Sequence, residues 1–393
     1  MVLGRIGAVW LFVGSMVSTA AAQSAEALQA EIDALEARLA ELEGAPEGPN
    51  LDIGGAARFQ YAYRDWDDAS KDKGGDLEFD VFRLNLDGDY RNITFSAEYR
   101  WYEYMPVVHH AWVGYRFDED LEARLGVNKV PFGLLPFASH NFFFSSNFYL
   151  GLEDDYDSGI KLLHDRGPWR FALAFYKNAD WGNASSFDRY SYDIVVDEAE
   201  GQHNEETNQL NARAAYDWQI DESFHVELGT SLQYGELYNR VTSDKGDRWA
   251  AAVHADAYLN RWNLQLQVTR YEYDPDNPPG VSDAVVRVGA YGYSEYIPAE
   301  ATSYIANLAY EWPVQWGAIE AVTFYNDFSY VDKDESAFEE TIMNVLGFSV
   351  AAGPVFTYFD YVVAKNQPFI GGTMADDADD WNTRFNVNVG YYF

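Results

Sequence analysis

Cysteine is absent from the 393 residues, which excludes disulfide scaffolds and thiolate metal sites. Positive charge is scarce: 27 Lys and Arg stand against 63 Asp and Glu, for a formal charge of −36. Nucleic-acid phosphates demand Lys and Arg, so a nucleic-acid partner is excluded too. Beyond the first two dozen residues, no apolar run approaches the ~20 residues that a membrane-crossing helix needs. A chain like this crosses a membrane only as a closed barrel of strands. The patterns HExxH, GxSxG and GxxxxGK are missing, so no catalytic motif points to an enzyme.

Aromatics are abundant. Tyr (29), Phe (25) and Trp (12) make up 17% of the chain, yet its mean hydropathy is slightly negative. Residues 381–393 show how both hold at once. Trp381, Thr383, Phe385, Val387, Val389, Tyr391 and Phe393 fall on one face of a strand, and Asn382, Arg384, Asn386, Asn388, Gly390 and Tyr392 on the other. Aromatics at both ends of the apolar face match the girdles of a transmembrane strand, with a polar interior behind them. The same alternation recurs at Ile93–Trp101, Trp169–Phe175, Trp262–Val268 and Ile342–Val350.

Seven tight turns punctuate these segments: 90–92, 117–121, 165–168, 219–223, 260–261, 313–317 and 353–354. They alternate with eight other connections: 65–75, 103–105, 132–155, 179–206, 237–245, 274–300, 331–338 and 367–380. The expectation is an all-β, antiparallel transmembrane barrel over 51–393. It has sixteen strands, or eighteen if 274–300 adds a spanning hairpin. Barrels of that width leave an aqueous channel.

Ahead of the barrel, 1–22 read as a secretory signal peptide. Arg5 is its positive end, Ile6–Val17 its apolar centre and Ala20-Ala21-Ala22 its cleavage site. Within 23–43, Leu28, Ile32, Leu35, Leu39 and Leu42 repeat at heptad spacing, predicting a short periplasmic coiled-coil helix followed by a linker at 44–50. Fewer than three heptads make a marginal helix alone, so the seam suits copies held together by a larger assembly, or else an amphipathic helix packed on the barrel mouth or solvated.

The connection 132–155 carries Phe132, Phe137, Phe142, Phe143, Phe144, Phe148 and Tyr149 together with Glu153, Asp154 and Asp155. A loop this apolar packs against something, and the inner barrel wall is the surface at hand. Folded inward, it narrows the channel; otherwise its phenylalanines pack the loop itself or make trimer contacts. Leu125-Gly-Val-Asn-Lys-Val-Pro-Phe-Gly133, the phenylalanine-rich loop, and Asp154-Asp-Tyr-Asp-Ser-Gly-Ile-Lys161 together resemble the porin O/P family. The heptad helix and the final Phe393 fit the same likeness. That resemblance implies trimeric sixteen-stranded porins of the bacterial outer membrane, some phosphate-selective, with the third loop inside the lumen. It also implies Phe393 as the signal to the barrel assembly machinery, and anion selectivity set by arginine ladders and by lysines at the constriction.

Strand parity puts Arg58, Arg83, Arg100, Arg124, Lys161, Arg213 and Arg384 on the lumen side, against Glu98, Glu122, Asp157, Asp217 and Glu227. Lys129 shares parity with the outward Leu125 and Val127, which makes it a rim lysine, or a constriction residue if alternation already breaks at its strand end, two residues before Pro131. The pore-lining set is therefore these cations with Lys129, Phe142, Phe143, Phe144, Glu153, Asp154 and Asp157. The acidity of the whole chain favours cations or neutral solutes over phosphate, and the aromatics suit sugars. Adjacent His109 and His110 are expected on opposite faces, sharing no metal, and His140 is a pore contact or a packing residue. No cofactor is expected: Asp65, Asp67, Asp68 and Asp72, and Asp376, Asp377, Asp379 and Asp380, match no EF-hand loop and form a solvated acidic rim, or are oxygen clusters that hold Ca²⁺ or Mg²⁺ bridging lipopolysaccharide. The sequence thus predicts a passive pore for small hydrophilic solutes. A phosphate- or sugar-selective channel, an outer-membrane enzyme and an envelope tether are the rivals.

Overall fold

A computed structural model describes residues 48–393. The expected signal peptide, the heptad helix and linker positions 44–47 lie outside the described residues.

The polar–apolar alternation closes into a ring. Its members are β1 (Asn50–Arg64), β2 (Asp76–Tyr90), β3 (Ile93–Tyr102), β4 (Pro106–Arg116), β5 (Leu121–Lys129), β6 (Tyr156–Arg166) and β7 (Trp169–Ala179). After β8 (Asp193–Ile194), which stands apart, come β9 (Asn204–Gln219), β10 (Phe224–Asn239), β11 (Lys245–Leu259) and β12 (Trp262–Asp274). After the separate hairpin of β13 (Val285–Ala290) and β14 (Tyr293–Pro298) come β15 (Glu300–Trp316), β16 (Ile319–Lys333), β17 (Thr341–Ala352), β18 (Val355–Lys365) and β19 (Trp381–Tyr392). Sixteen of these strands form the closed antiparallel barrel. At the seam β1 pairs with β19, from Ala56 opposite Tyr392 to Arg64 opposite Arg384. There Gly55 and Phe393 exchange backbone hydrogen bonds of 2.8 and 3.1 Å. A Cβ on Gly55 would stand 2.5 Å from the Arg83 carbonyl, so the seam needs a glycine.

Burial is inverted relative to a water-soluble fold. On β12, Trp262, Leu264, Leu266 and Val268 are 40–47% exposed, while Asn263, Gln265, Gln267 and Thr269 are at most 8% exposed. An apolar outer surface around a polar interior needs lipid outside, and an Arg or Lys on that outer face would cost about 2–4 kcal/mol at the midplane. Aromatics crowd the tight-turn rim, where Trp169 packs on Tyr216 and Trp262 on Tyr310. Trp101, Tyr234 and Trp381 stand exposed toward the opposite rim, which carries every long connection.

Residues 274–300 do not add spanning strands. β13 and β14 are six residues each, and a strand needs about 9–11 to cross. They join β8 in a separate three-stranded sheet, while β12 pairs directly with β15. The barrel therefore has sixteen strands, not eighteen.

Candidate functional site

The connection between β5 and β6 folds into the barrel, its neck closed by Val130 N–H donating to the Asp155 carbonyl at 2.8 Å. Gly133 has φ +64°, and a Cβ there would meet Gln267 Oε1 at 2.5 Å. Glycine thus lets the backbone lie against the β12 wall, where Leu134 N–H donates to that same oxygen at 2.8 Å. Farther along, Asn307 donates to the Ala138 carbonyl at 2.7 Å. Asp327 on β16 then accepts four bonds from the loop tip: from His140 N and Nδ1 at 2.6 and 2.7 Å, and from Asn141 N and Nδ2 at 3.0 and 2.8 Å. Asp360 on β18 accepts from Phe142 N–H at 3.3 Å.

The loop's apolar side chains complete the anchoring. Phe148, Tyr149, Leu150 and Leu152 are buried with Tyr190, Tyr192, Val286 and Ile297 of the external connections, and Phe143 with Tyr325, Val345 and Val362. Glu153 lies inside the loop and accepts from the Ala138 and Ser145 N–H groups at 2.8 and 3.1 Å. Burial pushes its carboxyl up to about 7.

This packing divides the lumen. Between the loop and the wall of β1–β4, β18 and β19 a cavity of about 760 Å³ remains. Five arginines line it, Arg58, Arg64, Arg83, Arg100 and Arg384, as do five carboxylates, Glu78, Asp80, Glu98, Glu103 and Asp154. Arg83 and Arg100 stand opposite each other across β2 and β3, and Glu98 sits between them, ion-paired to both. Arg58 pairs with Asp80 at 2.8 Å. Four of the guanidinium groups also lie on aromatic rings: Arg58 on Phe142, Arg83 on Tyr392, Arg100 on Tyr190 and Arg384 on Phe143, at 5.3, 5.3, 4.4 and 4.8 Å. The wall is thus charge-balanced although the chain is strongly acidic.

Of the residues that the sequence put forward, Arg58, Arg83, Arg100, Arg384, Phe142, Phe143, Phe144 and Asp154 line this cavity. The others are held elsewhere. Arg124 stacks on Trp112 and pairs with Glu122 at 2.8 Å. Lys161 is buried and donates to the Lys129 carbonyl at 2.6 Å. Arg213 is buried behind the loop, donating to the Gly133 carbonyl at 2.9 Å and pairing with Glu227 at 2.5 Å. Glu153 and Asp157 are buried in and beside the loop. Lys129 turns to the loop rather than to lipid or lumen, reaching Asp154 at 2.5 Å and the Pro136 carbonyl at 2.9 Å. Arg64 lines the cavity but was not put forward, although its parity matches that of Arg58. The tyrosines brought in by distant connections, Tyr190 and Tyr291, carry no such local signal.

His109 and His110 do not point to opposite faces. The β3–β4 register runs from Glu98 opposite His110 to Tyr99 opposite Val108, leaving His109 as a bulge. A bulge adds a residue without flipping the face. Both rings therefore line the cavity, with their Nδ1 atoms 2.9 Å apart.

His140 links the loop to the wall. Burial works against its charge, but the hydrogen bond and charge of Asp327 outweigh burial and raise its pKa above the ordinary 6.5. Its contribution to the clasp is full below 6.5 and fades as pH rises through the raised value. Flicker of the loop in single-channel records should then grow between pH 6 and pH 9, and His140→Gln should remove that dependence. Identical flicker at both pH values in the unaltered protein would refute the clasp.

The external acidic clusters make local bonds. Asp65 accepts from Thr383 N–H and Oγ1 at 2.7 Å each, and Asp67 caps the short helix α1 (Asp68–Lys73). Asp376 accepts from backbone N–H groups of its own loop, and Asp379 pairs with Lys365 at 2.5 Å.

No protein-family profile matches the chain, and no curated protein sequence matches it. Solved structures do. An anion-selective porin from Comamonas acidovorans is similar at 15% identity and TM-score 0.57, over 88% of this chain and all of that one. OmpT, an outer membrane protein of Vibrio cholerae in a trimer form, is similar at 13% identity and TM-score 0.54 over the same shares. The outer membrane channel DcaP of Acinetobacter baumannii is similar at 12% identity and TM-score 0.54, over 88% of this chain and 98% of that one. At these identities the likeness is one of fold: the chain has the barrel architecture of outer-membrane porins and channels.

Proposed function

We propose that this protein is an outer-membrane porin, a passive pore for small hydrophilic solutes and ions, and not an enzyme. The single observation that carries the reading is the charge-balanced, arginine- and aromatic-lined cavity left between the inward loop and one barrel wall. A polar passage through an apolar-jacketed barrel conducts solutes without chemistry. The trimer form of the Vibrio neighbour and the heptads at 23–43 both support a homotrimer. The motifs around the third loop support kinship with the porin O/P family. Lipopolysaccharide and the barrel assembly machinery are the partners that this location implies, Phe393 being the assembly signal.

A second reading, an anion-selective channel, is favoured by the four ring-stacked arginines and by the anion selectivity of the Comamonas neighbour. Purified protein in a planar bilayer should give stepwise conductance increments. A salt-gradient reversal potential then separates a non-selective pore from an anion-selective one. Protein that inserts and stays electrically silent overturns both readings.

A further inference from the structure

Across the loop from the arginine wall lies a buried cluster that the pore does not use. Asp155, Asp157, Asp180, Asp193 and Glu206 surround two guanidinium groups, Arg189 and Arg248, and all seven residues are at most 7% exposed. Arg248 is taken up by Glu206, at 2.8 Å through Nη1 and again through Nη2. Arg189 reaches Asp193 at 3.0 Å and Asp180 at 3.5 Å. Asp157 receives one further bond, from Gln209 at 2.9 Å.

Five carboxylates against two guanidinium groups leave three negative charges in excess in a site shielded from water. An uncompensated buried carboxylate costs several kcal/mol. Asp155 Oδ1, Asp157 Oδ1, Asp180 Oδ2 and Asp193 Oδ1 each lack any hydrogen-bond donor among the described residues. Asp155, Asp157 and Asp193 each present an oxygen, and these oxygens lie within 4.8 Å of one another. Asp180, tied to Asp193 through Arg189, adds a fourth buried carboxylate beside them, its Oδ2 without a donor among the described residues.

We infer that Asp155, Asp157 and Asp193, flanked by Asp180, bind one calcium ion that clamps the inward loop to the external sheet. All the donors are oxygen, which selects a hard cation. The oxygens of Asp155, Asp157 and Asp193, within 4.8 Å of one another, are close enough for one ion to reach all three. Three carboxylates in a buried site suit Ca²⁺, which takes about 6–8 oxygen ligands, better than Mg²⁺, which keeps several waters and binds through one or two carboxylates. The ion joins parts of the chain that are otherwise distinct: Asp155 ends the loop, Asp157 opens β6, Asp180 follows β7 and Asp193 lies on β8. Calcium then holds the constriction in place from its base. This inference concerns a binding site and does not rest on conductance.

The test is equilibrium binding of calcium to the full-length protein in detergent, stripped with EDTA and assayed at physiological salt. The expected result is one tight calcium per chain. Asp155→Asn/Asp193→Asn should lose it, and a variant with Asp376, Asp377, Asp379 and Asp380 changed to Asn should keep it. Should the double variant fail to fold, Asp180→Asn, beside the ligands, should bind roughly 10–100-fold more weakly. No calcium bound by the unaltered protein overturns the site. So does equal binding by the unaltered protein and a folded double variant, unchanged affinity in Asp180→Asn, or loss confined to the outer-loop variant.

Discussion

Converting Arg58, Arg83, Arg100 and Arg384 to glutamine together is expected to turn the channel strongly cation-selective. In a tenfold KCl gradient the reversal potential should move tens of millivolts toward the potassium limit. The cavity lining, not the net charge of the chain, sets the selectivity. Five arginines and five carboxylates face the passage, so the unaltered wall has no strong sign of its own. After substitution one arginine remains against five carboxylates. A unit charge about 6 Å from an ion's path contributes roughly 0.7 kcal/mol in water, so four removed charges amount to nearly 3 kcal/mol before screening. The Debye length of about 10 Å at 0.1 M salt trims this. A change of about tenfold in the cation-to-anion permeability ratio remains, equivalent to about 1.4 kcal/mol. The fourfold change to lysine keeps the charge and loses the planar stacking, so it should leave the reversal potential near that of the unaltered protein. If the glutamine variant conducts with an unshifted reversal potential, ions do not pass along this wall.

The barrel was legible in the sequence because its physics is local. Trp262, Leu264, Leu266 and Val268 against Asn263, Gln265 and Gln267 specify two faces without knowledge of any partner, and tight turns such as 260–261 fix where each strand ends. Inward parity carried less, because it cannot tell a residue facing open lumen from one behind the folded loop. Arg58 and Arg213 have the same local pattern. One lines the cavity, and the other is buried against the Gly133 carbonyl, a contact spanning 80 positions. Where alternation itself breaks, as at the bulge that turns His109 inward beside His110, parity gives the wrong face. The carboxylate cluster was the least legible. Asp155 lies on one connection and Asp180 and Asp193 on another, with no shared motif, and only the closed barrel brings them to one place.

Removing the Asp327 carboxylate is expected to raise single-channel conductance roughly two- to threefold, because it frees the loop tip from a lumen wide enough to hold an open aqueous channel. Asp327 accepts four of the hydrogen bonds that hold His140 and Asn141. Bonds to a charged group contribute about 1.5–3 kcal/mol each, and a buried donor left without a partner adds about 1–3 kcal/mol of penalty. In Asp327→Ala the backbone N–H groups of His140 and Asn141 both lose their acceptor, and the His140 ring keeps only Asn263. The Phe142 bond to Asp360 and the Asn307 bond to the Ala138 carbonyl remain, but the bared backbone donors of His140 and Asn141 then find their best partner in water, so the tip swings free. Asp327→Asn separates charge from geometry. It keeps one acceptor oxygen and loses the ion pair, so it should open the pore less than alanine does and flicker more than the unaltered protein. The base of the loop is held by Val130, Gly133 and Leu134, so the barrel should still assemble, and heat-modifiable migration on gels should match that of the unaltered protein. Conductance and flicker in Asp327→Ala equal to those of the unaltered protein would mean that the phenylalanines, and not the carboxylate, hold the constriction.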